Sequence, residues 1–178
     1  MIVCAGETEQ FKFATPIGIG LIDVAINLTE LCIVAKPTFL LFVGTAGSYG
    51  EKKVFDIVES KTATNIENSF FQGASYTPID NMVSTLEEDF SVSRETFVNS
   101  SNYITTDENI GKYYVEKNIH IENMEYYSVL KVAKKFNIPC GGIFIVTNYC
   151  NQNAHKDFIQ NHQEAMQKLT HYMQQKNK

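Results

Sequence analysis

Apolar residues along the chain occur in two kinds of run, and the way these alternate predicts the architecture. Met1–Ala5, Thr38–Val43 (TFLLFV) and Ile138–Thr147 (IPCGGIFIVT) are almost continuously apolar. Short runs of this kind, bounded by glycine or proline, suit strands covered on both faces. Thr15–Leu21 (TPIGIGL) reads as a further strand with glycines at its end. Leu21, Val24, Ala25, Leu28, Leu31 and Cys32 recur at helical spacing, so residues 21–34 are expected to pack as a helix on a sheet. Lys36-Pro37 stops that helix, because the residue before proline avoids the helical region. Tyr126–Phe136 reads as a second helix. About Asn153–Gln174 reads as a third, with Phe158, Ala165, Met166, Leu169 and Met173 on one face. Asp80–Asp89 and Asp107–Lys117 read as helices too; Val54–Ser69 has β-type composition, and Asn99–Thr106 holds a candidate strand. Strands alternating with helices predict an α/β protein, a three-layer sandwich around a mixed central sheet. No repeat or linker interrupts the pattern, so residues 1–178 are expected to form a single domain.

Composition narrows the function. With 178 residues, 44% of them hydrophobic, one domain can bury a sizeable core. No apolar run reaches the roughly 18 residues that span a bilayer, so no membrane partner is expected. The opening MIVCAGETEQ lacks the positive and apolar regions of a signal peptide, which makes the cytoplasm the expected compartment. Cys4, Cys32, Cys140 and Cys150 form no CxxC pair and read as reduced structural thiols. Net charge is −5 and the only arginine is Arg94, a composition poor in bidentate phosphate donors and lacking the basic stripe of a nucleic-acid binder. His120, His155, His162 and His171 show no metal-ligand spacing, and no metal is expected.

Ligands of open α/β sheets gather at the carboxyl ends of strands. Four stretches with chemical potential lie there: Gly6-Glu7-Thr8-Glu9, Gly44-Thr45-Ala46-Gly47, Asn123-Met124-Glu125 and Thr147-Asn148. Each has an ordinary structural reading as well. GTAG suits a tight strand-to-helix turn, Glu125 a helix-terminal acid, Glu7 and Glu9 exposed loop acids, and Asn148 a turn residue.

Taken in order, AGETE, PIGIGLIDVAINLTEL, KPTFLLFVGTAG, FDIV, SNYITTD, NMEYYS and IFIVTNYCN resemble the nucleoside phosphorylase and methylthioadenosine-type nucleosidase superfamily over most of the chain. The resemblance implies a nucleoside phosphorylase-like fold, a homo-oligomer, and cleavage of the N-glycosidic bond of a purine nucleoside by water or phosphate. It implies no cofactor, inorganic phosphate being a possible co-substrate. By the same resemblance Glu125 accepts the ribose hydroxyls and Met124 packs on the sugar. Tyr103 stacks on the purine, and Ile104 and Thr147 help bind it. Gly44, Thr45, Ala46 and Gly47 form the nucleophile or phosphate site, and Glu9 is the base that activates water. Asn148 stands where family members acting on 6-aminopurines carry an aspartate. An amide can bond both N7 and a 6-oxo group, so a 6-oxopurine is expected.

Three features set the chain apart within that resemblance. Only six residues separate Glu9 from Pro16, where relatives insert a helix and two strands. Phe144 stands where many nucleosidases carry an arginine. Arg94 lies outside every matching motif, and each charge-assisted phosphate bond forgone costs on the order of 1.5–3 kcal/mol. Hydrolysis is therefore easier to build here than phosphorolysis. A protein of the same fold that binds a purine or nucleoside without cleaving it is the alternative.

Overall fold

The computed structural model describes residues 1–85 and 95–176. In chain order the strands are β1 (Ile2–Cys4), β2 (Thr15–Pro16), β3 (Leu40–Ser48), β4 (Ile57–Ser60), β5 (Thr62–Thr64), β6 (Met82–Ser84), β7 (Phe97–Ser100), β8 (Ile119–Asn123) and β9 (Cys140–Tyr149). The helices are α1 (Gly20–Ala35), α2 (Asn68–Phe71), α3 (Glu108–Glu116), α4 (Tyr126–Phe136) and α5 (Ala154–Lys176).

All these strands join one mixed sheet, ordered β2-β1-β3-β8-β7-β5-β6, with β9 paired to both β3 and β4. The β3–β9 pair is parallel, whereas β8 meets β3 antiparallel, only at Gly47↔Glu122 and Ser48↔Ile121. The carboxyl ends of β3 and β8 therefore overlap, and β9 ends beside them.

Period-two alternation along the two central strands divides the core. Phe42, Ala46, Phe144 and Val146 point to one layer, where they join Val24 and Leu28 of α1 and Leu130 of α4. Val43, Ile143 and Ile145 point to the other, against Ala165, Leu169 and Met173 of α5. Each large side chain buried this way contributes about 1.5–3 kcal/mol. The result is the expected three-layer sandwich.

The helix ends follow local chemistry. The Asp107 carboxylate accepts the Asn109 N–H at 2.9 Å and starts α3. Asn137 adopts a left-handed φ of 58° and ends α4, with Ile138 N–H closing on Ala133 O at 2.9 Å. Lys36 ends α1 the same way, with φ 45°, just before Pro37.

Several sequence expectations shift. The strand expected over Thr15–Leu21 pairs only at Thr15–Pro16, and Gly20 already begins α1. Within the helix expected at Asp80–Asp89, Met82–Ser84 is instead a strand with Val83 buried, because it pairs with β5; positions beyond 85 and Arg94 lie outside the described residues. Gly44–Gly47 is no turn, since β3 runs through it to Ser48. The strand β8 was not anticipated, although Ile119 and Ile121 alternate with polar residues in the period of a strand.

Candidate active site

At the carboxyl ends of the strands a cavity of about 220 Å³ opens. Its chemistry begins with the turn after β1, where Glu9 N–H bonds Gly6 O at 2.8 Å. That turn swings the Glu9 carboxylate onto β3, where it accepts the Thr45 N–H at 3.0 Å and the Thr45 hydroxyl. A Cβ on Gly44 would lie 2.9 Å from Glu9 Oε2, so the approach requires glycine at that position. Gly44 itself sits behind Glu9 and does not line the cavity, whereas Thr45, Ala46 and Gly47 do.

Opposite lies Glu125, at the junction of β8 and α4. Asn123 Oδ1 accepts the Tyr126 N–H at 3.2 Å and so caps α4, which leaves the Glu125 side chain for other partners. Its Oε1 accepts the Gly20 N–H at 3.0 Å, at the very start of α1. Its Oε2 accepts the Met124 N–H at 3.0 Å and Asn123 Nδ2 at 3.2 Å. Gly20 holds φ at 80°, and a Cβ there would meet Asn102 Oδ1 at 2.9 Å. Asn102 Oδ1 in turn accepts the Leu21 N–H at 2.9 Å. Two distant side chains thus occupy the amide donors that a helix start leaves open.

Asn148 arrives through a β-bulge. Ala46 pairs with Val146 but Gly47 pairs with Asn148, so Thr147 is the extra residue and the strand bends into the cavity. The Thr147 hydroxyl donates to Asn148 Oδ1 at 2.8 Å, and Asn148 Nδ2 donates to Tyr149 O at 3.2 Å. A carbonyl only accepts, which fixes which end of the amide is which.

The rim is built differently. Tyr103 and Ile104 are 76% and 53% exposed and border the opening. They are tethered through Thr105, whose N–H donates to Glu122 Oε1 at 2.9 Å. Glu122, which also accepts the Tyr49 hydroxyl at 2.8 Å, lines the cavity and was missed in the sequence. So were Ile19, His155 and Phe158. A polar residue alternating with isoleucines in IHIEN was the available signal for Glu122.

Three carboxyl groups share this small volume, and all are shifted. Burial is the main cause at Glu125, with the neighbouring charge of Glu9 second, and together they push its pKa up to about 8. Glu9 keeps part of its residue surface exposed, yet its carboxyl is enclosed. Burial raises its pKa, against the opposing effect of the Thr45 hydrogen bonds and the charge of His162. Burial also raises Glu122, opposed by donors from Thr105, Tyr49 and Cys150. Two enclosed acids that face each other, one held by backbone N–H groups and one by a threonine, can grip hydroxyls and take up a proton.

The sequence profile of the phosphorylase superfamily matches residues 2–175. The chain belongs to that superfamily. Solved structures agree on the superfamily fold. A Helicobacter pylori futalosine hydrolase mutant superposes with a TM-score of 0.79 at 16% identity, covering 97% of this chain and 95% of that one. A Helicobacter pylori MTAN mutant with 5′-methylthioadenosine in its active site gives 0.76 at 17% identity, over 91% of this chain and 78% of that one. The 5′-methylthioadenosine/S-adenosylhomocysteine nucleosidase of Neisseria meningitidis, in complex with methylthio-immucillin-A, gives 0.75 at 13%, covering 95% and 94%. No curated protein matches at a significant level.

Within this superfamily fold, Glu9, Thr45, Ala46, Gly47, Tyr103, Ile104, Met124, Glu125, Thr147 and Asn148 all border one cavity. Phe144, which aligned with an arginine position, does not. Its ring is buried in the core against Phe42 and Tyr126. Among the described residues no group of three or more His, Cys, Asp or Glu is placed to hold a metal, and no helix is long and apolar enough to cross a membrane.

Proposed function

We propose that the chain cleaves the N-glycosidic bond of a purine nucleoside, with a 6-oxopurine as base and water as nucleophile. The observation that carries this reading is the facing pair of enclosed acids, Glu125 and Glu9, in one cavity. Gly20, Met124 and Asn123 take three of the roughly four acceptor positions of Glu125; the 2′- and 3′-hydroxyls use the remaining one and that released by Asn123 Nδ2, and Met124 packs on the ribose. As the C1′–N bond lengthens, positive charge develops on the sugar, and nearby carboxylates stabilise it. Glu9 removes a proton from water beside Thr45 while the water oxygen bonds C1′.

The departing base leaves with the bonding electron pair. Asn148 Nδ2 has a second N–H beyond the one given to Tyr149 O, and both N7 and a 6-oxo group accept from such a donor. A 6-amino group requires an acceptor instead, and the Thr147 hydroxyl takes one of the two lone pairs of Asn148 Oδ1. Tyr103 provides the stacking face, with Ile104 and Thr147 beside the base.

Water is favoured over phosphate by charge. Among the described residues lining the cavity there are three glutamates and neither lysine nor arginine. A dianion entering such a site finds no charged donor. The reading includes no cofactor. It includes a homo-oligomer, supported by exposed Ile22 and Ile26 on α1, whose N-terminal flank Ile19 borders the cavity.

Chromatographic product analysis tests this. The purified chain is incubated with inosine, guanosine, adenosine, methylthioadenosine and futalosine, each with and without phosphate. Free base without phosphate, confined to 6-oxopurines, is the expected outcome. Base released only with phosphate overturns the choice of water. No base from any substrate, with saturable hypoxanthine binding, assigns the chain as a binding protein instead.

A further inference from the structure

The enclosed carboxylate of Glu9 has a neighbour that the reaction described above leaves unused. Helix α5 carries His155 and His162 two turns apart, and the two serve different spaces. His155 borders the cavity, whereas His162 lines an outer groove together with Thr8 and Gln10, the residues on either side of Glu9. The His162 ring stands edge-on to Phe158, with centroids 4.9 Å apart, and Phe158 is part of the cavity wall. Its Nε2 is buried and has no hydrogen-bond partner among the described residues. A buried ring nitrogen left without a partner is rare enough to need an explanation.

We propose that His162 is a positioning residue that acts through Glu9, holding its carboxylate in the acceptor form and passing its proton out to the groove. The inference rests on the hydrolytic reading above. In that reaction a water O–H bond breaks, oxygen bonds C1′, and Glu9 holds the proton while the C1′–N pair leaves with the purine. Substrate fills the cavity, so this proton needs another way out. It moves from Glu9 to the His162 imidazole and then to bulk water in the groove. The purine nitrogen takes one proton from solvent, so the step balances as nucleoside plus water giving sugar plus free base. An imidazole both accepts and releases protons near neutral pH.

The surroundings of Glu9 are consistent with this role. Thr45 faces it from β3, Cys4 from β1 and Glu125 from the start of α4. Only His162 among these neighbours can bring positive charge, and that charge opposes the effect of burial on Glu9. The groove beyond continues past Gln163, Met166, Gln167 and Thr170 to His171.

The test is a carbon-13 NMR titration of the glutamate carboxyls in the free chain, with Glu9 assigned through E9Q. It compares the native protein with His162→Phe, which keeps an aromatic ring against Phe158, and His162→Gln. Both variants should raise the Glu9 midpoint by on the order of one pH unit. In turnover assays the acidic limb should move up by the same amount, and His162→Ala should be slowed about tenfold at neutral pH and recover with imidazole in the buffer. An unmoved Glu9 midpoint in both variants overturns the proposal whatever the turnover. A moved midpoint without base release from any nucleoside supports the contact and overturns the reaction.

Discussion

Strands β3 and β9 lie side by side along their whole length, yet their two halves serve different ends. In the amino half, Leu40, Phe42, Cys140 and Ile143 are fully buried and feed the two core layers. In the carboxyl half the side chains shrink to Thr45, Ala46 and Gly47, and the partner strand bulges at Thr147. The first half is held by contact between apolar groups. The second receives the Glu9 carboxylate, which Thr45 binds from β3. A continuous ladder can therefore change from core to site within a few residues, provided the side chains become small where acids must approach.

The sharpest way to separate the halves is to damage each alone. Phe144→Ala removes a fully buried ring and should lower stability by about 3–5 kcal/mol, read from denaturant unfolding. Its folded fraction should bind nucleoside with unchanged affinity. Glu125→Gln does the reverse, because an amide oxygen still accepts the Gly20 N–H. Turnover should fall about 100- to 1000-fold, while the amide nitrogen forgoes the Met124 and Asn123 bonds at a stability cost of only about 1–3 kcal/mol.

A pH series distinguishes the halves next, since titrating acids line the cavity beside the carboxyl half. Glu125 holds its proton up to about pH 8 in the fold, well above the ordinary carboxylate range in the unfolded chain. Across that window the native state binds more protons, so stability should fall as pH rises from about 4.5 to 8. Glu125→Gln should flatten that slope. Hydroxyl donors favour the anion, so nucleoside binding should release a proton and strengthen by up to about tenfold per pH unit toward pH 8. Calorimetry in buffers of different ionisation enthalpy measures the release.

The smallest effect belongs to the rim. Tyr103→Ala removes an exposed stacking face and should raise KM by no more than about tenfold, with kcat and stability unchanged.

The apolar half was legible in the sequence because continuous hydrophobic runs and helical spacing are set by burial alone. Thr38–Val43, Tyr126–Phe136 and Ile138–Thr147 all led to elements at those places. Other elements were decided by pairing. Met82–Ser84 is a strand because β5 offers it a ladder, and β8 carries His120, Glu122 and Asn123 inward, where composition predicts polar residues outside. The site was legible through motif order, which named most of the cavity wall. Glu122, His155 and Phe158 belong to no such motif, and only the chain's course in space brings them there.

The bond from Gly20 N–H to Glu125 Oε1 spans 105 positions. In kinetic terms it closes one of the longest loops in the chain, and such closures come late because their entropy is lost before contacts repay it. The α1 helix can form before its first amide finds that acceptor. Recovery of nucleoside binding after dilution from denaturant should therefore lag behind recovery of helical signal, so that competence, rather than compactness, marks the end of folding.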